Sequence, residues 1–168
     1  MSRNECASFQ EEELSNPSHR TLESLTSHAE STYSTLHYLL LSLLNSADTS
    51  GTLSHAASHL GVAQCFTVLL RALPYHASRG HLVIPADVAA KHGLRQEEVF
   101  RSIREKRHGS VHVKGLDDAV FELAVAANDQ LLTARSMFEK HKSKIPREAM
   151  PVFLAGVCCI HVADLLVF

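Results

Sequence analysis

Apolar residues recur along this chain at the three- and four-residue spacings of helices that face a common interior. From Ser18 to Leu44, the residues Leu22, Leu25, Ala29, Leu36, Leu39, Leu40, Leu43 and Leu44 fall on one helical stripe, and Ser, Thr, His and Glu fill the other face. The small polar run NSADTSG, Asn45 to Gly51, reads as a helix stop and a turn. A second helix is predicted from about Leu53 to Leu73, with Ala56, Leu60, Ala63, Thr67 and Leu70 facing one way, until Pro74 ends it. A loop from Pro74 to Pro85 leads to a short helix, Asp87 to His92, stopped by Gly93, and then to a charged amphipathic helix, Gln96 to Arg107. The third long helix, Leu116 to Lys142, carries the stripe Leu116, Val120, Leu123, Ala127, Leu131, Ala134 and Phe138. Ile145-Pro146 breaks it, and a last helical segment runs to the chain end. No stretch alternates as a strand does, so the fold class is all-α, with antiparallel helices around a shared apolar interior. The loop at 74 to 85, at the mouth of two helices, is where chemistry is expected.

Composition narrows the function classes. With 168 residues and 45% hydrophobic content, the chain can bury the core of one domain. Its 16 Lys and Arg against 18 Asp and Glu leave a net charge of −2, so no basic field draws it to nucleic acid or to an anionic membrane. Cys6, Cys65, Cys158 and Cys159 show neither a CxxC pair nor a disulfide spacing, which suits a reducing compartment. Residues 1–17 are acidic and read as a disordered start; Glu5, Glu11, Glu12 and Glu13 fit neither a secretory signal nor a mitochondrial transit peptide. The final twenty residues approach the length of a membrane span, but Pro151, His161 and Asp164 argue for a buried or incomplete terminal helix.

The stretch RALPYHASRGHLVIP, Arg71 to Pro85, holds two arginines and two histidines and no acid. Together with the preceding helix from Ala56, it resembles the second aspartate-rich region of the squalene and phytoene synthase family. Gly61, Ala63, Arg71, Arg79, Gly80 and Pro85 keep the frame of that motif without a gap. The chemical positions differ: Cys65 stands where the family has glutamine, Val68 where it has asparagine, Ala72 and His76 where it has two aspartates, and Val83 where it has tyrosine. Ionising an allylic diphosphate needs Mg²⁺, a hard cation held by carboxylate oxygens and substrate phosphates. Alanine offers no ligand atom and an imidazole nitrogen suits softer metals, so Ala72 and His76 keep the spacing of one helix face without its chemistry. The family's other aspartate motif lies upstream of anything matched.

The runs STYSTLHYLLLSLLN, HAASHLGVAQ, LRALPYHASR and VIPADVAAKHG, with weaker echoes in ARSMFEK and IPREAMPVFL, resemble a non-catalytic branch of that family. The likeness covers Ser18 to about Leu154 and fails from Ala155. It implies an isoprenoid-synthase-type helical bundle, partial over 18–154 and incomplete on its N-terminal side, followed by a divergent apolar tail, 155–168. It also implies a pseudoenzyme without cofactor or metal that works in building respiratory complex I at the matrix side of the mitochondrial inner membrane. Complex I subunits or assembly intermediates are then the partners, with an apolar groove for a lipid, an isoprenoid or a subunit segment, and no nucleic acid. Two other readings stand beside it. One is an active prenyl transferase acting on an isoprenyl diphosphate with another metal or acid set. The other is a short product without a folded function, suggested by the start without a transit peptide and the apolar ending.

The remaining candidates each have a plain structural explanation. Arg71 and Arg79 are a candidate remnant phosphate-binding pair, against the alternative of helix capping and local ion pairs. His55 and His59 have the i, i+4 spacing of metal ligands, but no third ligand is visible. The acids of DDAVFE, Asp117 to Glu122, suit the positive end of a helix. Cys65 is expected in the core, and core packing accounts for the leucine stripes as readily as a ligand tunnel does.

Overall fold

A computed structural model describes residues 19–44, 51–105, 113–141 and 146–154. Among them every regular element is helical. In chain order these are α1 (Leu22–Ala29), a π-helical turn (Glu30–Ser34), α2 (Thr35–Leu43), α3 (Thr52–Ser78), α4 (Ala86–Lys91), α5 (Gln96–Glu105), α6 (Leu116–His141) and a 3-10 helix (Arg147–Leu154). The all-α class expected from the pattern is what the described residues show. Lys106, Arg107 and Lys142, placed at helix ends from the sequence, lie outside them, as do residues 1–17 and the tail 155–168. The chain divides into two compact units, one of residues 1–25 and 72–120, the other of residues 26–71 and 121–168. The boundaries fall inside α1, α3 and α6.

In the first unit, the segment Leu82 to Pro85 is buried, and it carries the chain from α3 into α4. Its exit is tied to the start of α1 by two backbone bonds, Ala86 N–H to the His19 carbonyl and Asp87 N–H to that of Arg20, each 3.0 Å. Asp87 also accepts from the Leu22 N–H at 3.0 Å, so an acid from α4 caps the positive end of α1. Thr21 adds the local cap, its hydroxyl accepting from Ser24 N–H at 3.0 Å. Val88, Ala89, Leu94, Val99, Val113, Leu116 and Ala119 are also buried in this unit.

The expectation that Pro74 ends the second helix is overturned: α3 runs on to Ser78 with Pro74 inside it. Proline removes the bond to the carbonyl of Leu70 and crowds that turn, which costs about 3 kcal/mol in a helix interior. Leu73 and Ala77, both buried, flank it and anchor the final turn. The loop therefore starts at Arg79, and His76 is a helical residue.

From residue 26 onward, in the second unit, the first predicted helix departs from its stripe. Leu25 and Ala29 are buried as expected, but the next buried residues are Ser34, His37 and Leu41. The π-helical turn inserts one residue, which advances the inward face by about 100°. The leucines of the predicted stripe consequently turn outward: Leu36 is 59% exposed, Leu39 56%, Leu40 46% and Leu43 77%. The hydroxyls of Ser31 and Thr32 donate to the carbonyl of His28 and that of Thr35 to the carbonyl of Glu30, local bonds that bend a helix and support the widened turn.

Helix α3 follows its predicted pattern, with Ala56, Leu60, Ala63, Thr67 and Leu70 buried, and it buries Ala57, Val62, Cys65 and Phe66 as well. It is long and apolar enough to cross a membrane, yet most of its apolar window is buried within the protein, as in a core helix. The α6 stripe is buried at Leu123, Ala127, Leu131 and Ala134. Leu60 and Ala63 pack with Leu131, and Leu41, Leu53 and Ala57 pack with Ala149 and Val152 of the 3-10 helix. Phe138 meets Phe153 edge to face at 4.6 Å between ring centres.

Candidate functional site

The motif positions lie along α3. Its C-terminal end closes with two bonds of one capping pattern: Gly80 N–H to the Ala77 carbonyl at 3.1 Å, and His81 N–H to the His76 carbonyl at 3.0 Å. This is the Schellman arrangement, which needs a left-handed residue, and Gly80 has φ 84°. Arg79 occupies the cap position itself. Its guanidinium lies 4.7 Å from the centre of the exposed Tyr75 ring, and His76 meets the same ring edge-on at 5.5 Å. Ala72 and His76 are half-buried, one turn apart. Arg71 is exposed on the part of α3 that belongs to the second unit.

No oxygen ligand comes with these positions. Ala72 has none and His76 presents an imidazole, and among the described residues no three His, Cys, Asp or Glu side chains gather as a metal site. His59, one of the i, i+4 pair, instead uses Nδ1 in a 2.6 Å contact with Gln130 Oε1 across to α6, while His55 is exposed. Asp117 and Asp118 sit exposed in the first turn of α6, where the helix dipole favours them. Cys65 is buried, and burial pushes its thiol up to about 11, so it is protonated at neutral pH and a poor nucleophile. Tyr33 is pushed up too, by burial and then by the neighbouring Cys65.

The structure also brings together a polar seam in the second unit, on residues whose spacing alone assigns them to the outer face. Ser34 donates to the Ser58 carbonyl at 3.0 Å, and the Ser58 hydroxyl donates to Glu30, which also receives the Tyr38 hydroxyl at 3.4 Å. His37 is buried with Nε2 3.0 Å from Gln64 Oε1. Nε2 therefore carries the proton and donates, leaving buried Nδ1 as an acceptor without a partner. Desolvation lowers the His37 pKa below 6.5, against a smaller opposing effect of the Gln64 bond. The sequence signal was present as Glu30, Ser34 and His37 at helical spacing, but it reads as a solvated face unless the phase shift is known.

Gly61 makes this seam possible. A Cβ there would stand 2.7 Å from Cα and 2.6 Å from the backbone nitrogen of Ser34. The two helices approach so closely that only glycine fits.

Comparison with known proteins gives this geometry its setting. A family model described as squalene/phytoene synthase matches residues 6–166, nearly the whole chain. The chain belongs to the squalene/phytoene synthase family. In this chain Gly61 is a close-packing glycine and Arg79-Gly80 is a helix stop. The chain is 37% identical over 147 residues to a rat protein named NADH dehydrogenase (ubiquinone) complex I, assembly factor 6, covering 88% of this chain and 40% of that protein. The human protein of that name is 36% identical over the same shares of each. A Drosophila melanogaster homolog is 34% identical over 84% of this chain and 39% of its own length. The chain thus spans about two-fifths of the curated relatives it matches. No solved structure matches.

Proposed function

We propose that this chain is a non-catalytic member of the squalene/phytoene synthase family that acts in the assembly of mitochondrial complex I. Its partners are complex I subunits or assembly intermediates, and its place is the matrix side of the inner membrane. The likeness to relatives named as complex I assembly factors, from rat to fly, supports the assembly role. The observation that carries the loss of catalysis is the pair Ala72 and His76: these half-buried α3 positions offer no carboxylate to Mg²⁺. Arg71 and Arg79, both exposed, are retained cations that would attract a phosphate group without activating it.

The test is complementation. The chain, with and without an added mitochondrial presequence, is expressed in cells lacking the assembly factor, and assembled complex I is read on a native gel. Restored complex I in at least one arm is the expected result. Failure of both, with soluble protein present in mitochondria, would overturn the assembly role. Mg²⁺-dependent diphosphate release from farnesyl or geranylgeranyl diphosphate by the purified protein would overturn the non-catalytic half.

A further inference from the structure

Helix α6 is apolar on two sides. One side buries Leu123, Ala127, Leu131 and Ala134, and the other presents Phe121, Val125 and Leu132 to solvent. The exposed three belong to a longer series, Asp118, Phe121, Val125, Asn128, Leu132, Arg135 and Glu139, whose members lie alternately three and four residues apart. All are exposed except Asn128, which is half-buried. Alternating three- and four-residue spacing makes a seam narrower than the stripe of a core-facing helix, and it is the seam along which a second helix packs. The whole series lies on one continuous helix, Leu116–His141, whose own geometry sets it.

The series is also its own complement. About a centre between Ala126 and Ala127, Asp118 is as far out as Arg135, Phe121 as far as Leu132, and Val125 as far as Asn128. Two copies of α6 laid antiparallel about that centre therefore set aspartate against arginine, phenylalanine against leucine, and valine against asparagine, each twice. Glu139 falls opposite residue 114, a lysine exposed in the turn before α6. At 1.5 Å per residue, Asp118 and Arg135 stand about 25 Å apart along the helix, with the apolar contacts between them. A parallel pair would oppose aspartate to aspartate and arginine to arginine, so charge selects the antiparallel arrangement. Asn128 comes beside the two-fold axis, where the amides of two copies can bond to each other, and a single asparagine in such a seam fixes register.

We infer that this chain associates with a second copy of itself through the exposed face of α6, as an antiparallel two-fold pair centred between Ala126 and Ala127. Such an interface is isologous, the same patch serving both copies. The inference stands on the spacing, exposure and charge order of one helix and does not depend on the assembly role. The seam is short, so the dimer is reversible, with a dissociation constant in about the micromolar range.

Sedimentation equilibrium of the full chain from about 1 to 200 μM is the test. A monomer–dimer equilibrium is expected. Asp118→Arg and Arg135→Asp each set like charges opposite one another twice per dimer, and each should raise the dissociation constant at least about five-fold. The chain carrying both substitutions restores opposite charges and should return to within about two-fold of the parent, at unchanged helical circular dichroism. Damage to the fold would not be reversed by the second substitution. Phe121→Glu should leave the chain monomeric. A parent chain that stays monomeric over the whole range overturns the inference. So does a double variant no tighter than either single one, and so does a dimer that Leu39→Glu on α2 abolishes while Asp118→Arg leaves it intact.

Discussion

A Cβ on Gly61 would meet Ser34 backbone atoms at 2.6 and 2.7 Å, and backbone cannot move aside as a side-chain tip can. Glycine in a helix interior normally gives up about 1 kcal/mol relative to alanine, so Gly61→Ala would stabilise an unconstrained helix. Here the overlap outweighs that gain. Overpacking of a well-packed site costs about 1–3 kcal/mol, and Gly61→Ala is expected to lower the urea midpoint, with Gly61→Val lowering it further. A raised midpoint for Gly61→Ala would show that the helices separate freely. His37 makes a second residue-level prediction. Its folded pKa is depressed below 6.5, so below that pH the unfolded chain binds more protons than the folded one, and stability falls as pH falls. The contribution is complete above about pH 6.5 and is lost on acidification towards the folded pKa. Thermal scans from pH 7.5 to 5 should show a shallower acid decline for His37→Gln than for the parent chain; parallel curves would contradict this.

At the scale of the element, α3 and α6 are legible in the sequence because their buried residues keep an unbroken helical period. Leu123, Ala127, Leu131 and Ala134 are inward as the spacing requires, and so are Ala56, Leu60 and Ala63. Periodicity misassigns the first helix from residue 34 onward because the π-helical turn is produced by hydroxyl-to-carbonyl bonds and by the room at Gly61, neither of which a hydrophobic pattern records. Pro74 misleads in the same way, because burial of Leu73 and Ala77 and the closure at Gly80 hold the last turns of α3 beyond it. At the candidate site, residue type is legible in the sequence: Ala72 and His76 carry no carboxylate. The Arg79 stack on Tyr75 cannot be read that way. Gly80→Ala should cost about 1 kcal/mol, since an L-residue pays for the left-handed conformation, and the loss should show as increased amide exchange at Ala77 to His81. Unchanged exchange there would mean that the cap is dispensable.

For the whole molecule, the loss of catalysis proposed above makes metal independence an expected property. Dialysis against EDTA should leave the melting temperature unchanged, and Mg²⁺ with pyrophosphate should raise it by less than about 1 °C. A larger rise would mean that ligand binding stabilises the fold by mass action, and that a working phosphate–metal site persists. Two readings of the whole chain, an assembly component and a residual synthase, are separated by that experiment as well as by complementation. The π-helical turn has a consequence for how relatives are compared. A one-residue gap between Glu30 and Ser34 looks like a minor alignment event, of the sort usually tolerated in a loop. Inside this helix it would exchange inside for outside over α2, sending the leucines to the core and Ser34 and His37 to water. Length in those five residues is therefore a hereditary marker of which surface a family member shows, and two chains with similar α2 sequences but different lengths there would present different faces.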